Sequence, residues 1–436
     1  MKDLEKYKMN YLELSKEKLE QLLDTTNDQY KAIRAKGYNV DISRGKPCSE
    51  QLDFGMQMYY DLGDALKNMP KNYRNYGMLD GIPEMKRLFG EMLGLNADEI
   101  IVCGNSSLNL MYDTVQRNLQ FGVCGSTPWN QIKTKFICPV PGYDRHFAIC
   151  EHFGIEMISV PMDENGPVMD VVEKLVALDD TIKGIWCVPK YSNPTGITYS
   201  DEVVDRLAKM PTKAKDFRIF WDNAYCVHDL GDETDHLANI MEIARKYGNE
   251  NRIYEFTSTS KITLAGGGVS CIGCTEENKK DILSHLTFQC ISYDKVSQYI
   301  HYVYMKDMNN LKAIMEKHKA IIKPKFEKFL NSFTEEFAQD SHIATWTKPN
   351  GGYFITLNVY KGCASRVYAL CKEAGLTLTK AGAPFPYGQD DDDSTLRIAP
   401  TFTSDSDIDI SIKILICCVK KACLEKLIEE YKKAWD

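Results

Sequence analysis

The chain has 436 residues, which is long for one small core and suits two domains. Hydrophobic residues make up 44% and charged residues 26%, an ordinary globular composition that excludes a disordered chain. The net charge of −8 at pH 7, without a basic block, argues against nucleic acid as a partner.

The N-terminal stretch MKDLEKYKMNYLELSKEKLEQLL is charged and helical in period, without the apolar centre of a signal peptide. We expect no contact with a membrane, because no stretch has the apolar length needed to cross a bilayer. Fifteen cysteines are scattered through apolar segments, which indicates buried thiols in a reducing compartment rather than a disulfide framework. We therefore expect a cytoplasmic protein.

Short apolar runs alternate with helical patterns through the middle of the chain. EIIVCG, KFICPVPG, EMISVPM, GIWCVPKYSNPTG, FRIFWDNAY and IYEFTSTSK are typical of buried strands, and VVDRLAKM and HLANIMEIARKYG are typical of the helices between them. This alternation predicts a mainly parallel sheet wrapped by helices, with functional residues at the carboxyl ends of the strands. Cys271 and Cys274 form a lone C-x-x-C, which is better explained as part of a strand in GGVSCIGC than as a metal or redox site.

The sequence pattern changes after about residue 305. A long charged helical run precedes the strand-like segments GGYFITLNV and STLRIAP, and a final amphipathic helix follows them. We predict a large domain at residues 51–305 and a smaller α+β domain at residues 306–436. Residues 1–50 are predicted to form an N-terminal arm that is partly in the small domain.

Polar residues follow three of the predicted strands. Asp222 ends one apolar strand, with Tyr225 three residues later, and its carboxylate either caps the next helix or meets a cationic partner. Asn193 opens an Asn-Pro-x-Gly sequence, which taken alone is a good turn. Lys261 lies in TSTSKITLAGGG, where shielding from water would lower the pKa of the amine and make it a nucleophile. Taken alone, Lys261 is a surface lysine.

The order Asn193, Asp222, Lys261 and then Arg397 in LRIAPTF resembles the fold-type I pyridoxal-phosphate enzymes of the aspartate aminotransferase superfamily. The segments SRGKP, VPKYSNPTG, TSTSKITLAGGGVS and DKVSQ are similar to the MocR-like subgroup of bacterial aspartate aminotransferases. Regulators that share this name carry a DNA-binding head, for which the segment before DISRGKP is too short. The resemblance implies an α/β fold, with a large domain on a mainly parallel seven-stranded sheet and a smaller α+β domain.

The resemblance also implies catalytic roles. Lys261 would form the Schiff base with pyridoxal 5'-phosphate and later move the proton at the substrate Cα. Asp222 would keep the pyridine nitrogen of the cofactor protonated. Asn193 and Tyr225 would form hydrogen bonds with the phenolic oxygen of the cofactor. Tyr143 in VPGYDRH would stack on the ring, and a tyrosine of the core is the alternative.

Donors for the cofactor phosphate are expected in VCGNSSLNLMYDTV, because backbone N–H groups and hydroxyls converge at the start of a helix. Tyr76 would reach the phosphate in the partner subunit, which implies a homodimer with shared active sites. Gly268 stands where most relatives carry an arginine, so backbone N–H groups would replace the hydrogen bonds of that side chain. The expected phosphate-binding residues of the same chain are Gly104, Asn105, Ser106, Ser107 and Ser258.

The resemblance places Arg397 on the α-carboxylate of the substrate, because a guanidinium offers two parallel donors. A surface arginine is the alternative. Asn193 would also contact the substrate, and Gly45 would pass close to it, where a side chain would clash. A dicarboxylate needs a second cation, for which Arg44, Lys46, Arg74, Arg145 and Lys295 are candidates.

We therefore predict a transaminase that moves the amino group of L-aspartate to 2-oxoglutarate through pyridoxamine phosphate. The alternatives are a transaminase for another amino acid, a β-eliminating lyase on the same scaffold, and a non-catalytic pyridoxal-phosphate-binding sensor. Lys261 and Asp222 argue against the sensor, because both are retained. A metal site is not predicted, since the eight histidines are dispersed and lack zinc-ligand spacing.

Overall fold

The N-terminal segment begins with a helix whose start is fixed by a serine. The computed structural model describes residues 10–337 and 342–435, so the first nine residues of the predicted helical pattern lie outside the described residues. The side chain of Ser15 accepts a hydrogen bond from the backbone N–H of Lys18, which satisfies a donor of the first turn. The segment contains α1 (Lys16–Arg34), β1 (Val40–Asp41) and α2 (Ser49–Tyr60).

A sheet of eight strands lies at the centre of the described residues. Its strands are β2 (Ile100–Val102), β3 (Lys135–Val140), β4 (Glu156–Asp163), β5 (Gly166–Pro167), β6 (Ile182–Cys187), β7 (Arg218–Asp222), β8 (Ile253–Ser258) and β9 (Ser270–Gly273). Their order across the sheet is β2-β9-β8-β7-β6-β3-β4-β5. The pairings from β8 to β4 are parallel, while β9 and β5 pair in the antiparallel direction.

The predicted α/β fold and the positions of the predicted strands are confirmed, but the sheet has one strand more than the seven expected. The additional strand is β5, which has two residues and pairs with the end of β4. It is too short to leave an apolar run in the sequence. Cys271 lies in β9 and Cys274 directly follows it, and both thiols are buried and unpaired, in agreement with the strand interpretation.

Helices cover both faces of the sheet, which explains why β3, β6, β7 and β8 are almost continuously apolar. Phe136, Trp186 and Phe220 pack together between the sheet and its helices. None of the helices within residues 10–337 and 342–435 is long and apolar enough to span a membrane. The helices of this region are α3 (Pro83–Leu93), α4 (Ser107–Phe121), α5 (Asp144–Phe153), α6 (Met169–Leu178), α7 (Asp201–Lys209), α8 (Ile240–Lys246), α9 (Glu276–Gln289) and α10 (Lys295–Met305).

The rest of the chain forms a smaller group of strands and helices. They are α11 (Met308–Phe337), β10 (Ala344–Trp346), β11 (Ile355–Val359), α12 (Ala364–Glu373), β12 (Leu376–Thr377), β13 (Thr395–Ile398) and α13 (Asp405–Trp435). Strands β10, β11 and β13 form an antiparallel sheet in that order. The N-terminal segment folds back onto this region as expected, because β1 pairs with β12 and α1 packs against α13.

Helix α11 joins the two regions through its side chains. Leu311 and Ile314, in its first half, belong to the apolar cluster around the large sheet. Phe326 and Phe333, in its second half, belong to the cluster around the small sheet. Pro324 lies between the two halves, inside the helix. The predicted domain boundary between residues 305 and 306 stays a prediction, and it falls just before a helix that contributes to both clusters.

Candidate active site

A cavity of about 530 Å³ lies at the carboxyl ends of β6, β7 and β8. The N-terminal segment and β13 also contribute to its wall, so residues that are far apart in the sequence meet there. This is the edge of a parallel sheet where ligands of α/β proteins bind. Ten residues predicted from the sequence line the cavity, namely Gly45, Ser106, Ser107, Tyr143, Asn193, Asp222, Tyr225, Ser258, Lys261 and Arg397.

Asp222 is buried, and its two carboxylate oxygens have different surroundings. Oδ2 lies 3.0 Å from Nε2 of His146. Oδ1 is buried and has no hydrogen-bond partner among the described residues. A buried carboxylate oxygen without a partner costs free energy, so this oxygen is suited to a proton donor that a ligand brings.

His146 is a site residue that the sequence analysis missed. Its imidazole stacks on Trp186 with ring centroids 4.4 Å apart, and it also meets the ring of Tyr143 edge-on at 4.9 Å. These contacts fix the imidazole where it holds Asp222. The sequence contains one sign of this contact. In VPGYDRH, Tyr143 and His146 are three residues apart at the start of a helix, so their side chains lie on one face.

Lys261 follows β8 and lies beside two aromatic rings. Its Nζ is 5.0 Å from the ring centre of Tyr225 and 5.8 Å from that of Tyr353. Burial lowers the pKa of this amine below the ordinary lysine value, while the negative charge of Asp222 opposes the shift. A lysine with a lowered pKa is more often neutral, and the neutral amine is the form that acts as a nucleophile or a base.

Two tyrosines of the cavity are hydrogen-bond donors at neutral pH. Burial raises the pKa of the Tyr225 phenol well above its usual value, and the nearby Tyr143 and Asp222 raise it further. Burial is also the main reason why the pKa of Tyr143 is raised. Both hydroxyls therefore keep their protons and can donate to an oxygen of a ligand.

Hydroxyl groups gather at the end of the cavity where α4 begins. Ser106 is the residue before this helix and Ser107 is its first residue, and both line the cavity. The Ser258 hydroxyl donates to Oγ of Ser260 at 3.1 Å. Ser260 also lines the cavity and was missed by the sequence analysis. Hydroxyls beside a helix N-terminus favour an anion such as a phosphate.

Two of the expected phosphate-binding residues, Gly104 and Asn105, lie next to this end but do not line the cavity. The carbonyl oxygen of Gly104 accepts a hydrogen bond from Ser270 Oγ, and that of Asn105 accepts one from Ser260 Oγ. Gly268 lies against the same backbone, since a Cβ there would be 3.2 Å from the carbonyl oxygen of Asn105. A larger residue at position 268 would need a shift of this loop.

Tyr76 does not line the cavity of its own chain and is 77% exposed. Two of the candidate cations also lie outside the cavity. Arg74 donates to the carbonyl oxygen of Met69, and Lys295 donates to that of Gly77. The roles predicted for Tyr76, Arg74 and Lys295 all need a second subunit, and they stay predictions.

Arg397 is buried in the wall of the cavity, and 7% of its surface is exposed. Its Nη1 donates to Asp144 Oδ1 at 2.6 Å and to Asn193 Oδ1 at 3.2 Å. Its Nε donates to Thr379 Oγ1 at 3.3 Å. The surface-residue alternative for Arg397 is therefore wrong, and the guanidinium is held in a fixed orientation.

Gly45 lines the cavity, and its expected approach to the substrate stays a prediction. A Cβ at this position would lie 2.5 Å from the ring of Phe354, so the aromatic ring excludes a side chain there. Three candidate cations line the cavity, and none of them forms an ion pair within the part of the chain that the structure describes. These three are Arg44, Lys46 and Arg145.

Comparison with known proteins agrees with this fold. An aspartate aminotransferase of Corynebacterium glutamicum is 46% identical over 365 residues, which are 83% of this chain and 84% of that protein. The crystal structure of an aspartate transaminase from C. glutamicum has a TM-score of 0.92 at 41% identity, covering 96% of this chain and 100% of that chain.

A more distant structure shares the fold alone. The α-aminoadipate aminotransferase of Thermus thermophilus, complexed with N-(5'-phosphopyridoxyl)-L-leucine, has a TM-score of 0.73 at 18% identity. The similarity covers 88% of this chain and 93% of that chain. The fold and the site thus define a fold-type I aminotransferase of the pyridoxal-phosphate-dependent class. A family model described as aspartate amino-transferase matches residues 14–431, and the chain belongs to that family.

Proposed function

We propose that the protein uses pyridoxal 5'-phosphate to transfer the amino group of L-aspartate to 2-oxoglutarate. The observation that carries this proposal is the buried, unpartnered Oδ1 of Asp222 in the same cavity as Lys261, whose pKa is lowered. A carboxylate and an amine so arranged suit a cationic pyridine ring with an aldehyde group. The similar aspartate aminotransferase of C. glutamicum supports the choice of aspartate.

The residues of the cavity fit this cofactor. Asp222 would accept the hydrogen bond of the pyridine nitrogen, and Asn193 and Tyr225 would hold the phenolic oxygen. Tyr143 would lie against the ring. When bound, the cofactor supplies an electron sink that stabilises negative charge at the substrate Cα. The phosphate would be held by Ser106, Ser107 and Ser258, by backbone groups at Gly104 and Asn105, and by Tyr76 of the partner subunit.

Each remaining residue has a task that its surroundings support. His146 keeps the Asp222 carboxylate oriented toward the ring. Burial lowers the pKa of the Lys261 amine, which favours its role as the base that takes the proton from the substrate Cα and returns it. Arg397 binds the α-carboxylate together with Asn193. The distal carboxylate of aspartate would be bound by one of the lining cations Arg44, Lys46 and Arg145.

We also propose a cytoplasmic homodimer of the MocR-like subgroup. The exposed position of Tyr76, outside the cavity of its own chain, supports a role across a subunit interface. All fifteen cysteines are unpaired, which supports a reducing compartment. The proposed domains are residues 51–305 and 306–436, with residues 1–50 as an arm.

The test of this function is a product assay with two matched variants. We expect the cofactor-loaded protein to turn over L-aspartate to oxaloacetate, with formation of glutamate, only when 2-oxoglutarate is present; without it, at most one oxaloacetate forms per site. Lys261→Ala should abolish turnover, because no other residue carries its proton-transfer step, while the surface variant Lys323→Ala should keep it. Release of ammonia without an oxo acid would indicate a lyase instead, and transamination by Lys261→Ala would refute the proposal.

A further inference from the structure

A carboxylate of the chain itself pairs with the positive charge of Arg397. Asp144 Oδ1 lies 2.6 Å from Nη1 of Arg397, and both side chains line the cavity. Asn193 occupies a second direction at the same Nη1, and Thr379 lies at Nε. Among the described residues, Nη2 has no hydrogen-bond partner on a side chain or the backbone. The guanidinium therefore has one carboxylate bound and one side left for a ligand.

Asp144 differs from the other partners of Arg397 in its freedom to leave. Its side chain is 31% exposed, whereas that of Arg397 is 7% exposed. Asp144 is the first residue of α5, where the backbone N–H groups of the helix start stabilise a carboxylate. A released Asp144 can therefore turn toward water and remain charged. Arg397 cannot turn away, because it is enclosed by Phe354, whose ring centre is 5.2 Å from Cζ.

We propose that Asp144 is an internal competitor for the substrate carboxylate at Arg397. The inference rests on the proposed function only in taking Arg397 as the site of the α-carboxylate. Two carboxylates at one buried guanidinium leave a net negative charge, which is unfavourable where water is excluded. A ligand carboxylate thus has to displace Asp144 from Nη1 or bind against its repulsion. Asp144 acts on the substrate through Arg397 and is a positioning residue, not a catalytic one.

Because of this competition, a carboxylate ligand binds only when its contacts in the cavity outweigh the cost of displacing Asp144. The cost of displacing Asp144 is the same for every carboxylate. A monocarboxylate has only Arg397 with which to offset this cost. A dicarboxylate also gains a contact with one of the unpaired cations that line the cavity, such as Arg145. Asp144 thereby keeps weakly bound monocarboxylates out, while a dicarboxylate still binds.

The test measures binding of succinate and of propionate to the cofactor-loaded protein by calorimetry. In Asp144→Asn and in Asp144→Ala, we expect the Kd of both ligands to fall about tenfold, the usual size of one charge-assisted interaction. Asp144→Glu keeps the charge and should keep the Kd near that of the wild type. In steady-state kinetics with aspartate, Asp144→Asn should lower KM in parallel with the fall in Kd.

The matched control is Asp170→Asn, which removes an aspartate paired with Arg206 outside the cavity. It should not change either Kd. Unchanged or weaker binding in both charge-removing variants, with folding verified by thermal unfolding, would mean that Asp144 only orients Arg397. Tighter binding of succinate alone would place the effect at the distal carboxylate and equally overturn the proposal. Since binding of succinate needs no turnover, the result is independent of whether aspartate is the substrate.

Discussion

The carboxylate of Asp222 faces a ligand at the base of the cavity, and His146 holds it in place. Asp222→Asn keeps the size of the side chain and removes its negative charge. We expect kcat/KM to fall by about 10- to 100-fold, because a charge-assisted hydrogen bond contributes about 1.5–3 kcal/mol. Steady-state kinetics at saturating cofactor check this prediction, and circular dichroism verifies that the variant is folded.

Asp216 provides a matched control for this variant. It precedes β7, the strand that ends at Asp222, and it binds Lys183 at 2.6 Å and Trp129 at 2.8 Å, away from the cavity. Asp216→Asn should lower the free energy of unfolding and leave kcat/KM close to the wild-type value. Equal kcat/KM losses in both variants would show that the effect of Asp222→Asn is a general loss of structure.

Residues at strand ends could be predicted from the sequence, because parallel topology brings the carboxyl ends of strands together. Asn193, Asp222 and Lys261 were located in this way. The contact between Asp144 and Arg397 joins positions 253 residues apart, and no periodic pattern carries that information. A side chain at Gly45 was expected to clash, and the structure shows the ring of Phe354 at that place, a contact that the sequence does not indicate.

A buried network of hydrogen bonds connects two helices and two loop segments behind the cavity. Gln51 of α2 binds His318 of α11 at 2.9 Å and the Tyr353 hydroxyl, before β11, at 3.0 Å. His318 Nε2 lies 3.0 Å from the carbonyl oxygen of Ile262, the residue after Lys261. Since that carbonyl can only accept, Nε2 of His318 carries the proton and Nδ1 accepts from Gln51. The network thus ties the loop of Lys261 to α2 and α11.

His318→Phe should lower the stability of this network. It leaves one N–H of the Gln51 amide and the Ile262 carbonyl without their present partner, and each buried unpaired group costs about 1–3 kcal/mol. The free energy of unfolding in urea at pH 7 measures this loss. The partly exposed His285, which stacks on Phe121, is the control, and His285→Phe should have little effect.

The difference between His318→Phe and the wild type should depend on pH. Burial lowers the pKa of His318 from 6.5 to about 4. Between these values the unfolded chain binds more protons than the folded one, so the stability contributed by neutral His318 falls as pH decreases from 6.5 to 4. The wild type should therefore lose its advantage over the variant on acidification. A difference that stays constant from pH 7 to pH 4 would contradict the neutral imidazole.

Elements with strong periodicity were predicted well, and short ones were not. The charged helical run after residue 305 forms α11 in spite of Pro324, because apolar residues on both sides of the proline pack into cores. Strand β5 has two residues and pairs with β4 across a turn of only two residues, 164 and 165. A run of two residues is too short to show a hydrophobic period, so the sequence pattern predicts the longer strands of the sheet and misses this edge strand.

On the scale of the whole molecule, Tyr76 tests whether active sites are shared between subunits. Tyr76→Ala should reduce kcat/KM about tenfold by removing one hydrogen bond to an anionic group. When Tyr76→Ala chains are co-assembled with inactive Lys261→Ala chains, one site of each mixed dimer combines Lys261 with an intact Tyr76. We expect the activity per Tyr76→Ala chain to rise, as measured after purification of differently tagged dimers.

A second variant separates this effect from general surface changes. Tyr247 is also exposed, and it hydrogen bonds to Asp205 far from the cavity. Tyr247→Ala should keep full activity alone and gain nothing from mixing. If mixing leaves the activity of Tyr76→Ala chains unchanged, each subunit completes its own site and the proposed role of Tyr76 is wrong.

Helix α11 also restricts where the gene of this protein can recombine with the gene of a relative. Its first half covers the large sheet with Leu311 and Ile314, and its second half fills the small core with Phe326 and Phe333. A gene fusion that joined residues 1–305 to a foreign C-terminal region would have to bring a helix matching both cores at once. Recombination between relatives at this point therefore works only when the first half of the incoming helix fits the retained core of the large sheet and its second half fits the small core.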